Sequence, residues 1–129
     1  MGDDGLDRAR AALVGAELAE SAAERYLLAH LAALRVASAV LAARAHATAR
    51  GRLRNVWQVV GEVAPEFAEW AGYFAATQVK RQAVAAGATS IVTDREADDL
   101  IRDARAFLDA VTRRVSGVSS RSAARPEAG

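Results

Sequence analysis

Apolar residues recur along this chain at spacings of three and four, the period of one face of an α-helix. Leu6, Ala9, Leu13 and Ala16 set a first helix from about Leu6 to Leu18. Asp3, Asp4 and Asp7 stand near its start, where the helix dipole favours negative charge. Ser21-Ala22-Ala23-Glu24 has the form of a capping box, in which each side chain satisfies a backbone N–H of the other residue. It opens a second helix running to about Ala45. Leu27, Leu31, Leu34, Ser38 and Leu41 form its stripe, widened by Val36 and Val40. So much alanine lets neighbours approach on several faces, which makes this the expected central helix.

The pattern lapses over Thr48 to Arg54, a predicted loop, and resumes at Asn55 in a short helix ending near Val63. Pro65 suits the first turn of the next helix, where its missing N–H has no intrahelical partner to lose. Phe67, Trp70, Ala71, Phe74 and Gln78 follow one face of that helix, with Ala75 and Val79 beside it, and Gly87 ends it. Residues Ala88 to Val92 connect to a second capping box, Thr93-Asp94-Arg95-Glu96. The helix that follows has the clearest apolar face: Ala97, Leu100, Ile101, Ala104, Phe107, Leu108, Val111 and Val115. Asp98/Arg102 and Arg105/Asp109 are spaced as i,i+4 ion pairs on its other side. No stretch has strand character. The expectation is an all-α protein: an antiparallel up-and-down bundle of four long helices plus one short helix, with a single domain over 6–115. Residues 1–5 are expected to be frayed. Residues 116–129 (SGVSSRSAARPEAG) are small and patternless, and are expected to be a disordered tail.

Composition narrows the chemistry. The 129 residues are 52% hydrophobic but only 5% aromatic, so the core must be mostly aliphatic. Cysteine is absent, which removes disulfides and thiolate metal sites and fits a reducing, cytoplasmic setting. The acidic start MGDDGLDR lacks an apolar core, so no secretory leader is expected. No uninterrupted apolar run reaches the ~18 residues of a membrane span, because His30 and Arg35 break the longest one, so no membrane partner is expected.

Net charge is +1, yet the charges are segregated. No acid lies between Glu24 and Glu62, an interval holding Arg25, Arg35, Arg44, Arg50, Arg52, Arg54, His30 and His46. Arginine forks suit phosphate, so Arg44, His46, Arg50, Arg52 and Arg54 form a candidate anion or nucleic-acid segment, which Lys80 and Arg81 would extend if antiparallel packing brought them near. No aromatic residue lies among these arginines to stack a base. The bland alternative is a solvated, arginine-rich loop.

Two rows of carboxylates, Glu62/Glu66/Glu69 and Glu96/Asp99/Asp103, each share a helix face and would suit a divalent cation only if they met. No Glu-x-x-His accompanies them, so no metal or other cofactor is expected. Trp57, Phe67, Trp70, Tyr73 and Phe74 are expected in the core, with a dimer interface as the alternative. No phosphate-cradling glycine loop and no Ser/His/Asp constellation is present.

Three segments, AERYLLAHLAALRVASAVLAAR, NVWQVVGEVAPEFAEWAGYFAA and TDREADDLIRDARAFLDAV, taken in that order, resemble a small stand-alone subfamily of HEPN domains (higher eukaryotes and prokaryotes nucleotide-binding) from high-GC Gram-positive bacteria. The resemblance covers about Ser21 to Val115. It implies an all-α bundle, often dimeric, among relatives that include ribonuclease toxins, RNA-processing factors and non-catalytic partners of nucleotidyltransferases. Active members carry R-x4-6-H, commonly with a polar residue after the arginine, usually on later helices, and two such motifs meet across a dimer.

Here Arg25 and His30 have that spacing, but Tyr26 follows the arginine and the pair sits on the second helix. In a continuous helix, five residues at ~100° each turn them ~140° apart. The pair therefore stands as the candidate catalytic site of a metal-independent endoribonuclease, against a structural reading in which His30 packs and Arg25 finds an acid. The expectation leans away from an enzyme and towards a non-catalytic module binding RNA, a nucleotide or a helical protein partner, with a homodimer compatible with either. A purely structural interaction bundle is the third reading.

Overall fold

A computed structural model of the chain describes backbone residues 4–44 and 55–123, with side chains described over 5–44 and 55–114. Five helices make up the bundle: α1 (Asp4–Leu18), α2 (Ala22–Ala43), α3 (Val56–Val63), α4 (Ala68–Ala85) and α5 (Asp94–Ala123). Short 3₁₀ turns at Pro65–Phe67 and Thr89–Ile91 join α3 to α4 and α4 to α5. No strand occurs among the described residues. The α1/α2 and α4/α5 pairs run antiparallel: Gly5 of α1 lies against Ala39 of α2 and Gly15 against Leu28. Likewise Tyr73 of α4 meets Asp103 of α5, and Lys80 meets Glu96. This is the expected up-and-down bundle.

The boundaries follow from local chemistry. Ser21 Oγ accepts from the Glu24 N–H at 3.0 Å, and the Asn55 side chain accepts from the Trp57 N–H at 2.8 Å. Each satisfies a donor that the first turn leaves orphaned. Thr93 and Glu96 form both halves of a capping box, with Glu96 N–H donating to Thr93 Oγ1 and Thr93 N–H to Glu96 Oε1, each at 3.0 Å. Gly87, at φ 116°, takes the left-handed conformation that ends α4 at low steric cost. Thr93→Ala is expected to cost about 1 kcal/mol of unfolding free energy, measured by urea titration. No loss would mean that the box does not hold α5's start.

Helical backbone begins at Asp4 and ends at Ala123, outside the expected limits of 6 and 115. The N-terminal acids favour an early start. Beyond Val115 no proline occurs before Pro126, and extending a nucleated helix is far easier than starting one. The first part of the segment expected to be a disordered tail is therefore helical. The rest of that tail, residues 1–3 and the loop expected over Thr48 to Arg54 lie outside the described residues.

Packing corrects the face assigned to α2. Its deeply buried positions are Ala23, Tyr26, Ala29, His30, Ala32, Ala33, Val36, Ala37 and Val40, whereas Leu27, Leu31, Leu34 and Leu41 are half-buried and Ser38 is exposed. The reason is centrality: α2 touches α1, α3, α4 and α5. A helix with partners on most sides places its smallest residues where backbones approach most closely, and its leucines fill the wider gaps between.

On length and hydropathy alone α2 could cross a membrane, contrary to the expectation that no stretch reaches that measure. Half of its most apolar window is buried against the other helices. On α4, Phe67, Ala71 and Phe74 are buried as expected, but Val79 is 72% exposed. On α5 the expected face holds, with Ala97, Leu100, Ala104, Phe107, Leu108 and Val111 buried and Ile101 half-buried.

The core has an aromatic centre. Phe107 sits with its ring centroid 5.5 Å from Phe74, 5.6 Å from Trp70, 6.1 Å from Phe67 and 6.3 Å from Trp57. These rings bring together α3, the following turn, α4 and α5, so the expected core role of the tryptophans is met within one chain. Tyr73 is the exception: it is 39% exposed at the edge, and its hydroxyl donates to Asp103 at 2.6 Å.

Candidate functional site

Arg25 and His30 both lie on α2, whose unbroken helical backbone turns them apart. Arg25 faces the start of α5. Its guanidinium pairs with Asp98 and reaches the Asp94 carboxylate and carbonyl at 3.4 Å. Only 14% of its side chain is exposed, so its stem is packed and its donors are directed at α5. Asp98 is therefore engaged across helices, and Arg102 pairs instead with Asp99 at 3.0 Å and Asp103 at 3.5 Å. Arg105 pairs with Glu17 of α1. Neither i,i+4 pair expected along α5 forms among these contacts, because acids and bases on neighbouring helices compete for the same groups.

His30 faces the other way, into the bundle. It is 2% exposed, and its Nε2 lies 3.3 Å from the Phe74 carbonyl oxygen. A carbonyl oxygen only accepts, so Nε2 carries the proton of the neutral ring. The imidazole stands edge-on to Trp57 and Phe74, at centroid distances of 6.0 and 6.3 Å. Burial pushes its pKa below the ordinary 6.5, more than the Phe74 carbonyl raises it, and the positive charge of Arg81 lowers it further. The protein thus holds a neutral, hydrogen-bonded histidine against aromatic edges. The residues that surround it come from α3 and α4, and no spacing within α2 announces them.

Of the basic segment, Arg44 is described and it is occupied. At the C-cap of α2 it donates to the Val63 carbonyl at 2.9 Å and to Glu66 at 2.5 Å. It thereby ties the end of α2 to the turn between α3 and α4, and with Arg114 it holds the Glu66 carboxyl below the usual carboxylate range. His46, Arg50, Arg52 and Arg54 lie outside the described residues. Lys80 does not extend a basic patch, because Glu96 takes it at 2.6 Å. That ammonium, with the capping hydrogen bond from Thr93, depresses the Glu96 pKa.

Four of the six carboxylates in those rows are engaged in the same way. Glu66 serves Arg44 and Arg114, Glu96 serves Thr93 and Lys80, and Asp99 and Asp103 serve Arg102. No group of three metal-ligating side chains converges among the described residues.

Compared with known families, residues 16–112 match the profile described as SAV_6107-like HEPN, about three quarters of the chain. At the level of that family the domain points to nucleotide- or RNA-related activity. No curated protein and no solved structure matches the chain.

Proposed function

Because the chain belongs to the SAV_6107-like HEPN family, we propose that it is a non-catalytic HEPN module that binds RNA or a nucleotide, rather than a ribonuclease. The observation that carries this reading is the burial of His30. A catalytic histidine must reach a phosphodiester or a water beside one. His30 is 2% exposed within a single chain, with its protonated nitrogen directed at the Phe74 carbonyl. Pairing two chains adds surface around a site but does not uncover a residue that its own core encloses. Arg25 is likewise engaged by Asp94 and Asp98, so it is not poised to position a phosphate. Binding falls to the acid-free interval of the sequence, through Arg50, Arg52 and Arg54 with His46.

Incubation of the purified protein with RNA in chelator is expected to leave the RNA intact. Binding is expected to weaken steeply with salt and to drop at least tenfold when Arg50, Arg52 and Arg54 are replaced by glutamine. Cleavage that persists in chelator and disappears in a folded His30→Gln variant would overturn the reading. So would RNA and nucleotide binding indifferent to both salt and those arginines.

A further inference from the structure

We propose that the cleft between α1 and α2 is a phosphoanion site in which Arg8 and Arg35 grip adjacent phosphate groups. It deepens the binding reading by naming the recognised group, and its chemistry stands on residues other than the basic segment. The cleft encloses about 460 Å³, within the range of small-ligand sites. Arg35, Ser38, Ala39 and Ala42 line one wall at i, i+3, i+4 and i+7 of α2, and Gly5 and Arg8 line the other at i and i+3 of α1. Two packed helices fix both walls. They approach closely at Gly5, where an added Cβ would stand 2.9 Å from Ala39 Cβ.

The charge balance is what points to an anion. Two guanidiniums line the cleft and, among the described residues, no acidic side chain does. Among the described side chains neither Arg8 nor Arg35 has an ion-pair partner. Asp7, the acid next to Arg8, is engaged by Arg10 at 3.0 Å. Two like charges facing one cleft repel each other, and a bound dianion turns that repulsion into attraction on both sides. The small floor of Gly5, Ala39 and Ala42 lets a phosphate come close, with the exposed Ser38 hydroxyl as a further donor. Among the described residues no aromatic side chain lines the cleft, so recognition there rests on phosphate rather than on stacking. The cleft reaches the last turn of α2, from which the basic segment continues in sequence. The ligand is therefore either an RNA backbone or the phosphates of a nucleotide.

Isothermal titration of the intact protein with inorganic diphosphate, ADP and a short oligo(U) tests the site. Arg8→Gln and Arg35→Gln are each expected to weaken diphosphate binding about ten- to a hundredfold with the melting temperature unchanged, and the double variant to abolish it. Oligo(U) binding tighter than ADP marks RNA as the source of the phosphate, and the reverse order marks a nucleotide. The Arg50/Arg52/Arg54 glutamine variant separates this site from the basic segment, because it is expected to keep diphosphate binding even if oligonucleotide binding is lost. Diphosphate that fails to bind at millimolar concentration, or binds the double variant as tightly as the natural protein, would overturn the proposal.

Discussion

Phe107→Ala is expected to remove about 3–5 kcal/mol of unfolding free energy, a fall in melting temperature on the order of 10–20 °C. Phe107 is fully buried and is the residue that Trp57, Phe67, Trp70 and Phe74 share. Truncation removes the ring's transfer free energy and leaves a cavity between rigid aromatic walls, which collapse poorly. It also loses the offset and edge contacts among the rings, which add to simple burial. Phe107→Leu, which keeps most of the volume, is expected to cost less than half as much. Val79→Ala, on the exposed side of α4, is expected to change little. Urea titrations of the three variants decide the matter: a loss below about 1 kcal/mol for Phe107→Ala would show that the core is not organised around this ring.

The second large effect is expected at His30. His30→Ala should cost about 2–4 kcal/mol, through a cavity beside Trp57 and Phe74 and loss of the hydrogen bond to the Phe74 carbonyl. His30→Gln retains an N–H donor at similar reach and should cost less. The histidine also ties stability to pH. Its folded-state pKa lies below the unfolded value near 6.5, so as pH falls through 6.5 the unfolded chain binds the proton first and stability declines. The decline continues until pH passes the folded-state pKa. Glu66 and Glu96 act lower down. Their folded pKa values are depressed, so their contributions are present above the usual carboxylate range and are lost as pH falls through it. Urea titrations at pH 7.5 and 5.5 should show a loss in the natural protein that His30→Gln largely removes. An equal loss in both would assign the pH dependence to other groups.

Much of the fold is legible in the chain because its helix ends carry local chemistry. Ser21, Asn55, Pro65, Gly87 and the Thr93/Glu96 box each act within a few residues, and each stands at or beside the element boundary it announces. The face of α5 is legible for a related reason: its buried and solvated sides are chemically distinct. The face of α2 is not, because a helix surrounded by partners has no polar side to set the phase, and closeness of approach ranks alanine above leucine. Long-range pairing is hidden in the same way. Nothing near Asp98 in sequence indicates that Arg25 will take it, and nothing near Arg44 points to Val63 and Glu66.

At the candidate site, the divergence of Arg25 and His30 follows from helix geometry alone. What encloses His30 depends on α3 and α4 docking against α2. The α1/α2 cleft is still further from the sequence, since it joins Arg8 and Arg35 across 27 positions that share no motif.

The state of His30 tests the central claim most directly. NMR titration of the imidazole in the intact protein, with His46 assigned through a His46→Gln variant, should give a His30 midpoint below 6.5 that saturating RNA leaves in place. A midpoint at or above 6.5 that moves when RNA is added would place His30 in contact with solvent and ligand, and would contradict its role as a buried structural histidine.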